Sequence, residues 1–412
     1  MNEVNKKSKE LESRLILKCA QTVIGPQQEH SIKQSFNESL DWDYVLTIAG
    51  RNGLLPLVSW NLLQKFRPEI PDSVAEKLER FFQTHAQNNL FLTLKLIEAI
   101  KLLEKNDIPA LPFKGTVLAS RAYGNLSLRQ YCDLDILVQP KCFDEAAKVL
   151  SENGYVAIDE TSWLKRKTLF FTHIKDIRLI SPDKRVQIEL HWKLSGSHFS
   201  LPLEISQLWD RLLKIEMGGA EVYDLPFNDL FVYLCLHGSR HEWERLSWIA
   251  DLRELIRATE KKGEKINWEE VSQHAKRYGC ERVVELGLFL IQKFFGDKPD
   301  YPNFESIENN QAYHKISCQV EERIFSETPM HSLKYDKYMY LLSLQENRAD
   351  RMKLYLVYFT FYLKLAFRPN ALDKEIFHLP SVLSPLYYVL RPLRLVYTYF
   401  NRESVKKVAL KK

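Results

Sequence analysis

The sequence predicts an α+β fold on three observations. Helical periodicity fills residues 8–105 and most of the chain from Asn228 to about Phe367. Short strand-like runs cluster between 106 and 225. Glycine (14) and proline (17) are sparse in 412 residues, so no long flexible linker is expected. The expected organisation is an N-terminal helical segment over 1–105, a mixed-sheet core over 106–225, and a larger C-terminal helical domain over 226–412 that ends in a basic tail.

Leu94, Ile97, Ile100, Leu102 and Leu103, interspersed with Lys and Glu, form an amphipathic helix that stops before Asn106-Asp107. Ile108–Phe113 reads as a short strand. Pro109 and Pro112 cannot donate to a ladder, which puts that strand at a sheet edge. A Lys114-Gly115-Thr116 turn leads to a helix over Val117–Tyr123. Asp133–Val138 is the next strand, and residues 140–152 are helical, with Phe143, Ala146, Ala147 and Leu150 on one side and Gly154 beyond the end. Residues 169–193 read as two strands joined by a β-turn at Ser181-Pro182-Asp183-Lys184. In the second strand Val186, Ile188, Leu190 and Trp192 share one face, and Gln187, Glu189 and His191 the other. A short piece follows around Val222–Leu225. Pro380, Pro385 and Pro392 divide the C-terminal apolar region into short segments.

Apolar content of 45% and charged content of 27% are ordinary for a globular protein. The formal charge is +5, but residues 391–412 hold seven Lys or Arg against one Glu, which leaves 51 basic and 52 acidic residues elsewhere. A neutral body argues against a broad nucleic-acid surface. Six cysteines without a CxxC pair, and a charged start without an apolar core, suggest free thiols in a cytoplasmic setting. Lys165-Arg166-Lys167 reads as a solvated turn. The C-terminal apolar region is expected to cover the helical domain, with contact to an anionic membrane as the alternative.

Chemistry concentrates in residues 111–138, LPFKGTVLASRAYGNLSLRQYCDLDILV. Asp133 and Asp135 are one residue apart on a strand, so both point to one face. Adjacent carboxylates at the mouth of an apolar strand repel unless a cation offsets them. The pair suggests a divalent-metal site, and the glycine turn before it suggests a phosphate. Trp192 reads as core and His191 as a supporting histidine. His237, His241 and Arg245 recur every four residues and would share one helix face, but lack the HExxH order of a zinc site.

Helix, strand, glycine turn, helix, strand with an acidic pair, then a later strand with a third carboxylate: this order resembles the polymerase-beta-like nucleotidyltransferase superfamily. The matching positions are Gly115-Thr116, Asp133 and Asp135, and Glu189. More narrowly, KG…LA…Y…LR…DLDILV, then ELHW and LHGSRHEWERLSWIADL, is similar to a bacterial nucleotidyltransferase-like family with helices on both sides of a minimal core. Lys114 and Thr116 depart from the superfamily's apolar and Gly/Ser positions, and Gly115 lies further from Asp133 than in many members.

The resemblance implies a transferase whose Asp133, Asp135 and Glu189 bind Mg2+ or Mn2+ and carry catalysis. It implies nucleotide contacts at Lys114, Gly115, Thr116 and Arg129. The shared helix face of His237, His241 and Arg245 suggests a basic face closing over the nucleotide, with His237 and Arg245 toward the phosphates, or else an interdomain network using Arg245 and Asp251. Arg129 could instead bridge the core to a helical domain. The donor is a nucleoside triphosphate, or alternatively a nucleotide sugar, and the acceptor is a small molecule or peptide; a non-catalytic nucleotide- or partner-binding module is the third reading. On this reading Asp135→Ala abolishes transfer and spares stability.

Overall fold

The computed structural model describes residues 3–158, 175–194, 205–327, 334–345, 348–369 and 371–400. Lys165-Arg166-Lys167, the start of the strand expected from residue 169, and residues 401–412 of the basic tail lie outside the described residues.

Four helices open the chain: α1 (Glu3–Cys19), α2 (Pro26–Ser35), α3 (Trp42–Arg51) and α4 (Leu55–Lys65). Asp41 caps α3 by accepting the Tyr44 N–H at 3.0 Å, which satisfies one of the donors a helix start leaves open. The long α5 (Asp72–Glu104) has 33 residues and spans roughly 50 Å at about 1.5 Å per residue. Its Leu92, Leu96, Ile100 and Leu103 recur at helical spacing and are buried.

The central sheet contains β1 (Ala110–Pro112), β2 (Asp133–Val138), β3 (Val156–Ala157), β4 (Asp176–Ile180) and β5 (Gln187–His191), in the order β1-β2-β5-β4-β3. β2 and β5 are parallel; the other neighbours are antiparallel. β1 occupies an edge, as its prolines require. The strand period sorts the sheet into two faces. Leu134, Ile136 and Val138 of β2 and Ile188 and Leu190 of β5 join one core with residues of α5 and of α7 (Phe143–Glu152). The opposite face carries Asp133, Asp135, Glu189 and His191.

The turn after β4 is built as its sequence suggests. Lys184 N–H donates to the Ser181 carbonyl at 2.9 Å, and Val186 N–H donates to Ser181 Oγ at 3.0 Å. Between Lys114 and β2, α6 (Gly115–Leu118) continues into a π-helical turn over Ala119–Tyr123. Elements that went unread in the sequence include the two-residue β3, the short helix Ile205–Trp209, and β6 (Leu213–Met217), which pairs with β7 (Ala220–Asp224) as a separate hairpin. β6 reads Leu-Lys-Ile-Glu-Met, an apolar–polar alternation that is a strand signal, but it is only five residues long and largely exposed.

Helices then dominate: α8 (Ile205–Trp209), α9 (Phe227–Arg240), α10 (Leu246–Lys261), α11 (Trp268–Arg277), α12 (Glu281–Phe295), α13 (Phe304–Glu308), α14 (Gln311–Phe325) and α15 (Lys334–Leu344). The N-terminal helices meet α14 directly. Tyr44 Oη donates to the Phe325 carbonyl at 2.7 Å, and Arg51 Nη2 and Asn52 Nδ2 donate to the Ile324 carbonyl at 2.8 and 3.0 Å. Met1–Glu346 accordingly form one compact unit, and Asn347–Lys412 a second. The compact boundary thus falls at 346, inside the segment 226–412 expected as one domain.

The second unit holds α16 (Arg348–Phe367), α17 (Ala371–Phe377) and α18 (Tyr387–Phe400). The C-terminal apolar region is split, as its prolines suggest, yet α18 continues through Pro392 for 14 residues. Among the described residues no helix is long and apolar enough to cross a membrane.

Candidate active site

The parallel register of β2 and β5 sets Asp135 directly beside Glu189. His191 lies two residues further along β5, on the same face. Its Nε2 donates to Asp135 Oδ1 at 3.0 Å and lies 3.5 Å from Glu189 Oε2. Asp135, Glu189 and His191 each offer a ligand atom, and these atoms lie within 4.8 Å of one another. Two carboxylates and an imidazole form a donor set that suits a divalent cation.

This convergent group differs from the expected Asp133, Asp135 and Glu189. Asp133 sits opposite Gln187, one strand repeat before Asp135, whereas His191 reaches back to Asp135 from the far end of β5. His191 is fully buried. Phe113 covers it edge-on with ring centroids 5.0 Å apart. The antiparallel hairpin places Asp176 opposite His191, and Asp176 Oδ2 lies 3.6 Å from its Nδ1. Lys175 Nζ lies 2.8 Å from that carboxylate. Lys175 Nζ also lies 3.5 Å from His191 Nδ1, so the second ring nitrogen faces an ion pair rather than a lone carboxylate. Counting outward from the Ser181–Lys184 turn would set Asp176 opposite Glu189; the observed loop closes between Ser181 and Val186, which shifts the register by two and sets Asp176 opposite His191.

The turn before α6 brings the cation. Phe113 N–H donates to the Asp135 carbonyl at 3.1 Å, extending the β1–β2 ladder by one residue. Lys114 then adopts φ 59° and Gly115 φ 37°, so the chain reverses at once into α6. Only glycine takes such a φ cheaply. The reversal directs Lys114 Nζ to Asp135 Oδ1 at 2.8 Å. The first-turn N–H groups of Gly115 and Thr116 have no intrahelical carbonyl to meet, as at every helix start.

The charges are strongly coupled. Burial works against the Asp135 carboxylate, yet the Lys114 ammonium and the His191 hydrogen bond hold its carboxyl well below the usual range. Burial likewise works against the Lys114 charge, and Asp135 more than offsets it, so Lys114 stays protonated above its ordinary value. Asp133 is shifted up by burial and by the neighbouring Asp135 charge. Tyr233 of α9 packs edge-on to Phe113 at 5.4 Å and near Lys114; burial pushes its hydroxyl up to about 12.

Arg129, His237 and Arg245 lie further along the chain from this turn, and of the three only Arg245 leaves the helix face expected for it. Arg129 Nε and Nη2 donate to the two oxygens of buried Asp251 at 2.8 and 2.9 Å, and Tyr123 Oη joins them at 2.8 Å. Arg129 therefore braces the core against α10, the alternative that its sequence context left open. His237 lies on α9, but Arg245 does not share its helix. α9 ends at Arg240, Glu242 and Trp243 take φ near 54° and 53°, and Arg245 immediately precedes α10. The buried Trp243 ring causes the break: it lies against Gly238, where a Cβ would fall 2.3 Å from it. The rings of His237 and His241 both lie 5.2 Å from Trp248, and Arg245 rests over the same indole at 5.9 Å. Burial and the nearby Lys114 charge depress His237 well below the ordinary histidine range, so it is a neutral neighbour of the site.

A family model described as an uncharacterised nucleotidyltransferase matches residues 38–296, more than half of the chain. No curated protein matches the chain. The matched span contains the sheet, the Lys114 turn, the Asp135–Glu189–His191 group and the α9–α10 shelf. The chain therefore belongs to this uncharacterised nucleotidyltransferase family.

Proposed function

We propose that the chain transfers a nucleotidyl group from a nucleoside triphosphate to a hydroxyl or phosphate of an acceptor, with a divalent ion held by Asp135, Glu189 and His191. The observation that supports this reading is the convergence of those three donor groups beside the Lys114-Gly115-Thr116 turn. The imidazole shifts the expected ion from magnesium towards manganese, since magnesium favours an oxygen-only set. When bound, such an ion would polarise a phosphoryl oxygen and neutralise charge on the triphosphate.

The chain's own groups divide the remaining work. The Gly115 and Thr116 N–H groups donate to phosphate oxygens at the helix start. Lys114 supplies a cation for the departing pyrophosphate. Glu189 is partly exposed at the mouth of the site and receives the acceptor hydroxyl's proton. The acceptor oxygen bonds the α-phosphorus, the α–β bridging bond breaks, and pyrophosphate leaves with the electron pair. Asp133 extends the acidic edge on the same strand face. Phe113 and Tyr233 exclude water from the His191 side.

Thermal unfolding with nucleoside triphosphates and nucleotide sugars, each with manganese, magnesium or chelator, tests the binding step. The expected result is stabilisation by a triphosphate only with a divalent ion. Donors labelled at the α-phosphate or at the sugar then test the reaction across an acceptor panel. Movement of the α-phosphate label supports nucleotidyl transfer. Movement of the sugar label alone would replace it with sugar transfer, and metal-dependent binding with neither label moving would favour a binding module.

A further inference from the structure

α18 is built inside out. Arg391 is 6% exposed, and its Nη1 donates to Asp373 Oδ2 at 2.6 Å. Arg394 Nε donates to the other oxygen of the same fully buried carboxylate at 2.7 Å. The outward positions are Tyr388, Val389, Leu393, Val396 and Tyr397, which are 55–68% exposed. A helix on a water-facing surface puts its charges out and its apolar side chains in. This one hides the charges and neutralises them by pairing.

α16 repeats the theme by a different route. Met352, Leu356, Phe359, Leu363 and Phe367 recur at steps of four, three, four and four residues, and all are exposed. That spacing keeps them on one stripe along the helix. Leu354, about 200° round the same helix, is buried. α16 is thus apolar on both its inner and outer sides. Among the described residues, 16 of the 23 exposed large hydrophobic side chains fall in residues 347–412, so the effect is concentrated there and is not ordinary surface scatter.

Charge identifies what covers this face. Residues 347–412 hold thirteen Lys or Arg and four Asp or Glu, a net +9, while residues 1–346 hold 45 and 49, a net −4. Two copies of a +9 unit would repel across a shared apolar contact. An anionic bilayer attracts such a unit and accepts its apolar side chains. Exposed Tyr388 and Tyr397 suit the headgroup boundary, where an apolar ring and a polar tip are both satisfied. We propose that the Asn347–Lys412 unit lies on an anionic membrane surface, with the outer faces of α16 and α18 in the interface and no segment crossing.

Co-sedimentation of the full chain with vesicles tests this, using phosphatidylglycerol–phosphatidylcholine mixtures against phosphatidylcholine alone. The expected result is pelleting with the anionic vesicles only, weakened by salt. The pairs Leu356→Glu/Phe359→Glu and Leu393→Glu/Val396→Glu change exposed side chains. Each pair should weaken vesicle binding by about tenfold or more while circular dichroism stays unchanged. Failure to bind, equal binding to neutral vesicles, or variants that bind like the parent would overturn the proposal. Light scattering on the same samples covers the second-copy alternative: self-association lost in both variant pairs, without vesicle binding, would make the face a contact between chains.

Discussion

Replacing Asp135 tests the electrostatic design of the site apart from catalysis. Asp135 is 4% exposed and its partner Lys114 has a side chain 11% exposed, so solvent screens the 2.8 Å pair little. Asp135→Ala leaves a buried ammonium without its nearest carboxylate and removes the acceptor of the His191 Nε2–H. Breaking a buried pair from one side costs about 3–5 kcal/mol. At about 2 °C per kcal/mol for a chain this long, the midpoint should fall by roughly 6 °C or more. The sequence alone suggests that the substitution spares stability; the buried pair predicts the opposite. Asp135→Asn keeps an oxygen for His191 and should recover about 1 kcal/mol of the loss. Lys114→Met/Asp135→Leu removes both charges and should be far less damaging than the sum of its parts.

The pH dependence follows from the same pair. Asp135 has a folded pKa below its unfolded value of about 3.9, so its contribution is present above that pH and is lost as acid approaches the folded value. Lys114 has a folded pKa above its unfolded value of about 10.4, so its contribution is lost only in strong alkali. Urea unfolding across the pH range should show a plateau from about pH 5 to 9 whose height drops in Asp135→Ala. A variant within about 0.5 kcal/mol of the parent at neutral pH would refute the buried-pair reasoning.

Three further outcomes are expected. Arg129→Lys should lower the unfolding midpoint nearly as much as Arg129→Ala, because an ammonium cannot reproduce the two-pronged contact with Asp251; full rescue by lysine in thermal melts would contradict the brace. The His237 ring protons should show no titration by NMR from about pH 5 to 8, since its depressed pKa keeps it neutral there. An inflection near 6.5 would restore the cationic role that the sequence suggested. His191→Ala should weaken manganese binding, read by calorimetry without nucleotide, by about 10–100-fold; unchanged affinity would remove His191 from the donor set.

The parts of the site that were legible in the sequence are those fixed by neighbours in the chain. Asp133 and Asp135 were visible because an apolar strand rarely begins with two like charges on one face. The Ser181–Lys184 turn and the two-faced β5 were visible because turn chemistry and period-two alternation are local signals. Glu189 was found through family resemblance, since nothing near it in the chain says that β5 lies parallel to β2. His191 was placed in a supporting role for the same reason: its reach to Asp135 depends on that register, and Asp176 and Lys175 come beside its other nitrogen only through a second pairing. Arg129 shows the limit from the other side, because the carboxylate that decides its role lies 122 residues away. The four-residue spacing of His237, His241 and Arg245 failed for a more instructive reason. Helical periodicity assumes that the helix continues, and a buried Trp243 packed into the space left by Gly238 makes reversal cheaper than continuation. Even so, the reversal brings Arg245 over Trp248, the same indole that both histidine rings pack against, a common neighbour that periodicity alone does not show.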